Sequence, residues 1–118
     1  MDVQEETVNE DKLSEVVIDL SVNRTGGLNE SWLGWFGGII KTVLGRMFKG
    51  SSSSIPVRVK GNRSEVESFA KALNGEKKYI DVATKYGLAD PRTYKSKYQL
   101  EKAVNSFERT TGIKWPFV

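Results

Sequence analysis

The chain contains no cysteine and no histidine. These absences remove thiol and imidazole nucleophiles, the commonest general base, disulfide cross-links and zinc sites of the Cys/His kind. Catalysis would have to rest on carboxylates, Lys, Tyr or Ser, and the acids fall in patterns that read as solvated: Glu65 and Glu67 on different faces of one helix, Glu101 and Glu108 on an outer face. Phosphate-cradling loops are missing as well, because the glycines of GWFGG and GNRS lack the spacing, the lysine and the strand-to-helix setting of a nucleotide loop. The expectation is a protein that is not an enzyme, with no cofactor, no metal and no small-molecule substrate. A bilayer span needs ~20 apolar residues, and the main apolar run stops at Lys41. The opening MDVQEETVNEDK is acidic where a signal peptide is basic and then apolar, and no disulfide framework exists, so a cytoplasmic location is expected.

What is present is a strong polarity of charge. The chain of 118 residues carries a net +3, but residues 1–30 hold eight acids against Lys12 and Arg24, a balance of −6. From Ser31 to Ser64 there are six bases and no acid, and the remainder adds ten bases against seven acids. An acidic arm shielding a basic surface would produce this, as would a basic body built for a polyanion; ordinary solubilising charge is the plain alternative. The length suits one small domain with appendages.

Trp32 to Lys49, WLGWFGGIIKTVLGRMFK, is the most apolar segment. Trp32, Phe36, Ile39, Ile40, Val43 and Met47 recur at three- and four-residue spacings, which predicts an amphipathic helix capped by Asn29 or Ser31. Gly34, Gly37, Gly38 and Gly45 each cost such a helix roughly 1 kcal/mol against Ala, so it needs a partner surface. Three readings stay open for the stripe: the core of a β-α-β unit, a helix docked in a partner's groove through Trp32, Trp35, Phe36, Ile39, Ile40, Val43 and Met47, or an interfacial membrane helix whose Lys41, Arg46 and Lys49 meet lipid phosphates.

Residues 1–15 are too polar to offset their own ordering entropy and are expected to be disordered. VVIDLSV alternates with a period of two, predicting a strand over 16–22, and NRTGG reads as a turn. Gly50 ends the amphipathic helix and Ser51 to Ser54 form a joint. IPVRVKG predicts an edge strand over 55–60, with Pro56 near its start. Ser64 and Glu67 have capping-box spacing, opening a helix that Asn74-Gly75 stops. A second helix runs to Tyr86, with Gly87-Leu88 as a left-handed cap and its hydrophobic contact. Asp90-Pro91 starts a short turn, and Ser96 with Gln99 caps a third helix over 97–111. Gly112 ends it, and IKWPFV packs back. The fold class is therefore α+β and mostly helical: leader 1–15, strand plus docking helix 16–50, serine joint 51–54, and a basic domain 55–118 of one edge strand and three helices. Strands 16–22 and 55–60 can pair in parallel across the intervening helix. The glycines and the serine run favour the other arrangement, in which 1–50 is an arm that folds only on a partner.

Lysines interleave with tyrosines in the carboxyl-terminal half. Lys78, Lys85, Arg92, Lys95, Lys97 and Lys102 could neutralise phosphates while Tyr94 and Tyr98 stack on bases. Tyr79 and Tyr86 fall on the apolar face and are expected in the core.

The plan of acidic leader, NESWLGWFGG helix, serine joint, VRVKGNRSEVESFAKAL and the ending FERTTGIKWPF resembles small tailed-bacteriophage proteins of unassigned role, over residues 16–118. The resemblance implies a virion, assembly or host-interaction component in bacterial cytoplasm and carries over no binding or catalytic residue. Protein binding or self-association through helix 32–49 is thus the leading expectation, with nucleic-acid binding and membrane-surface binding as alternatives.

Overall fold

Apolar alternation makes Val16–Asp19 a strand, β1, and it pairs in parallel with Val57–Lys60, β2, in the register Val16–Val57, Val17–Arg58, Ile18–Val59 and Asp19–Lys60. The computed structural model describes residues 15–49 and 56–117. The acidic leader up to residue 14 and the serine joint 51–54 lie outside the described residues. The amide of Val16 donates to the Pro56 carbonyl and that of Leu20 to the Lys60 carbonyl, both at 2.8 Å, which closes the ladder at either end.

The strand stops three residues short of the expected span. Ser21 donates from its amide (2.9 Å) and its hydroxyl (2.6 Å) to one carboxylate oxygen of Asp19, and this side-chain turn leads into a single helical turn, α1, Val22–Thr25. The same hydrogen bonds from Ser21 hold the Asp19 carboxyl below its ordinary range. Gly26, at φ 84°, ends α1 in the left-handed region.

Next comes α2, Glu30–Lys49, entered through Asn29, whose side chain accepts from the Trp32 amide at 2.8 Å. A parallel pair needs a crossover of this kind, so the β-α-β arrangement is the one adopted and the arm arrangement is corrected. The reason lies in magnitudes. Phe36 and Ile40 are completely buried and Leu44 nearly so; at about 1.5–3 kcal/mol each, their burial outweighs roughly 1 kcal/mol per glycine. They join Ile18, Leu20, Phe69, Phe107, Ile113 and Trp115 in one core. Its centre is aromatic: the rings of Phe36, Phe69, Phe107 and Trp115 lie with centroids 5.3 to 6.3 Å apart.

Two long helices complete the fold, where three shorter ones were expected. Arg63–Tyr86, α3, runs unbroken through Asn74-Gly75, and Pro91–Thr111, α4, runs unbroken through Ser96. Gly75 faces α4: a Cβ there would lie 3.4 Å from Leu100 Cδ1 and 3.5 Å from its Cα. The glycine that reads locally as a stop is where α3 packs tightly on Leu100 of α4, and packing overrides propensity. Ser96 is buried in the same interface.

The capping box of α3 also shifts. Asn62 accepts from the Glu65 amide (2.9 Å) and Glu65 accepts from the Asn62 amide (2.8 Å), while Glu67 pairs with Arg63 at the surface. Glu65 is 1 % exposed and takes a two-pronged bond from Arg24 of α1, at 2.9 and 3.0 Å. That guanidinium holds the Glu65 carboxyl below its usual value against the opposing effect of burial. Gly112, at φ 74°, ends α4, and the tail returns over the core as expected, burying Ile113 and Trp115. No helix among the described residues is long and apolar enough to cross a membrane.

Candidate nucleic-acid interface

The amino end of α4 is set by Asp90, whose carboxylate accepts from the Arg92 amide at 2.8 Å, with Pro91 in the first turn. Arg92 folds back on the same carboxylate through Nε (2.9 Å) and Nη2 (3.0 Å). Its side-chain bonds, and then its amide, pull the Asp90 carboxyl from 3.8 down to about 2. The guanidinium also lies 3.4 Å from the centroid of the Tyr86 ring. Arg92 is therefore already engaged by a carboxylate and a ring rather than presented as a bare cation.

Beyond this cap, α4 turns one face inward through Thr93, Ser96, Leu100, Phe107 and Thr111. The opposite face carries Tyr94, Lys95, Tyr98 and Lys102, which helical spacing places on one exposed stripe. Both Tyr94 and Tyr98 are 61 % exposed, and Lys102 Nζ sits 5.4 Å from the Tyr98 ring centroid. The nearest carboxylate in sequence, Glu101, is turned toward α3, where it lines a groove. The stripe thus offers two aromatic faces and two ammonium groups with no acid among them.

The other predicted contacts do not join it. Lys97 lines the same groove as Glu101, beside Tyr79 and Trp115. Lys85 lies 5.9 Å from the Tyr86 ring centroid and borders a cleft with Phe48, Asp81 and Thr84. Lys78 is exposed on α3. Tyr86, expected in the core, is 41 % exposed: it is the last residue of α3, and the guanidinium of Arg92 lies over its ring. Leu88, expected to make a capping contact, is 69 % exposed.

The docking face expected on α2 is largely used within the chain. Phe36 and Ile40 are at the centre of the core, Ile39 and Met47 pack against it, and Val43 is half-buried. Trp32 is half-buried and stacks on Phe36 with centroids 5.0 Å apart. Trp35 alone of the set stays open, 40 % exposed and tilted on Trp32 at 5.7 Å. The stripe that would enter a partner's groove or a lipid surface is turned inward.

Two buried carboxylates escaped the sequence reading. Glu65 could have been found, since Asn62 and Glu65 have capping-box spacing. Glu76 could not: it accepts from the indole N–H of Trp115 at 2.9 Å, a partner 39 residues away. Among the described residues no three Asp or Glu side chains are grouped to hold a metal ion. Comparison with protein-family models, with curated proteins and with solved structures finds no match to this chain.

Proposed function

We propose that this is a binding protein rather than an enzyme, and that the outer stripe of α4 takes single-stranded nucleic acid. The observation that carries the reading is the pair Tyr94 and Tyr98, each 61 % exposed one helical turn apart, flanked by Lys95 and Lys102. Exposed rings of this kind stack on bases without regard to sequence, and the lysines neutralise phosphates. Action as a phage accessory component, in the host cytoplasm or the virion, belongs to the same reading. A protein partner is the second reading, narrowed to the outer edge of α2, where Trp35 is exposed and a Cβ at Gly34 or Gly38 would meet nothing within 4 Å.

Mobility shift of a single-stranded oligonucleotide across a salt series tests the nucleic-acid reading. Affinity falls steeply as salt rises. Tyr94→Ala and Tyr98→Ala each weaken binding by roughly tenfold, the value of one stacked base, with an unchanged salt slope. Lys95→Ala with Lys102→Ala flattens the slope instead. No shift at low salt overturns the proposal.

A further inference from the structure

We infer that the groove between α3, α4 and the carboxyl-terminal tail is a binding site for an organic ammonium ion carried on an apolar, aromatic body. It lies on the α3 side of α4, away from the tyrosine stripe, and has a volume of about 460 Å³, within the ~300–1,000 Å³ of small-molecule sites.

The groove has an apolar floor and one deep charge. Leu100 and Trp115 are buried, Val104 and Phe117 half-buried, and Glu76 is 6 % exposed. One oxygen of Glu76, Oε1, accepts from the Trp115 indole. Its second oxygen has no hydrogen bond among the described residues, yet it is not sealed from the groove. Open to the groove, that oxygen can accept a hydrogen bond from a group seated there. A ligand N–H donor can make that bond, and a cationic one makes it most strongly.

The lining also sets the sign and the shape of the ligand. Glu101 and Glu108 share the rim with Lys97 and Lys114, so with Glu76 the acids outnumber the bases by one, which favours a monocation over an anion. The carboxylates are not grouped to hold a metal ion, which leaves an organic cation. Trp115 and Phe117 meet edge-on, with centroids 6.3 Å apart at 74°, making an aromatic corner against which a flat apolar body packs.

Titration of the full chain with phenethylammonium, followed by the amide and indole N–H resonances, is the test, with the uncharged isostere 2-phenylethanol as the matched probe. The expected result is a saturable shift of the Trp115 indole N–H with the amine and affinity at least about tenfold weaker for the alcohol. Glu76→Gln keeps an oxygen acceptor for the indole while removing the charge, and is expected to bind the amine about tenfold more weakly. Absent shifts, equal affinity for the two probes, or undiminished amine binding by a folded Glu76→Gln protein would each overturn the inference. The comparison of probes on the unaltered chain decides it even where that variant fails to fold.

Discussion

Helices α2 and α4 are of nearly equal length, 20 and 21 residues, and both are amphipathic, yet they serve opposite ends. α2 holds two tryptophans and two phenylalanines, and its apolar stripe forms the middle of the core. α4 is rich in charge, and its two tyrosines stand in solvent. Hydrophobic content marks what a chain must bury, and in a domain this small it is first spent internally. Aromatic rings that the fold leaves outside, with cations beside them, are the better sign of a surface kept for something else.

The sharpest way to break this contrast is Phe36→Ala. The ring touches those of Phe69, Phe107 and Trp115, so its loss costs about 3–5 kcal/mol and lowers the denaturant midpoint of the whole chain in one transition. An unchanged midpoint for the Trp115 environment would return α2 to the status of an arm.

Glu65→Gln comes next, at about 2 kcal/mol near neutral pH, since it weakens the link between α1 and α3 while Arg24 stays half in water. The Glu65 carboxyl is held below its ordinary 4.5, chiefly by Arg24. A depressed carboxyl stabilises the fold fully above its unfolded pKa and loses that contribution as pH falls through the folded one. Thermal midpoints of the parent and the variant are therefore farthest apart above the ordinary carboxylate range and converge as pH falls through the lowered Glu65 value. A gap that is constant across this window would assign the loss to packing instead.

Smaller still is Gly38→Ala on the bare edge of α2, where an added Cβ meets nothing within 4 Å. It raises stability by up to ~1 kcal/mol through helix propensity, with no change of mass in light scattering. A fall in mass would show a second copy seated on that edge. On α4, Tyr94→Ala and Tyr98→Ala shift stability by no more than about 0.5 kcal/mol, and a larger loss would place those rings in the core.

Much of the local structure could be read from residues alone. Alternation located both strands, Asn29 and Asp90-Pro91 marked two helix starts, and Gly112 marked the last helix end, because each of these signals acts over a few neighbouring residues. The α+β, mostly helical class followed from them. Errors arose where a local signal met a distant partner. Asn74-Gly75 reads as a stop until Leu100 is seen packed on Gly75. Glu65 reads as solvated until Arg24 reaches it from 41 residues away. Of the predicted nucleic-acid contacts, Tyr94, Lys95, Tyr98 and Lys102 share a stripe, since helical spacing alone sets their direction. Lys97 does not, because the position of α3 and the tail turns it into a groove.

The sequence by itself determined where the two strands and the amphipathic helix lie, that the rest is mostly helical, and that Trp32 to Lys49 must bury one face. Only the tertiary structure decided what covers that face. Parallel pairing of β1 with β2 brings α2 across the helical hairpin, and the aromatic core formed there offsets the cost of its glycines. No property of the stripe alone distinguishes its own chain from a partner, since burial is paid by apolar area without regard to whose it is.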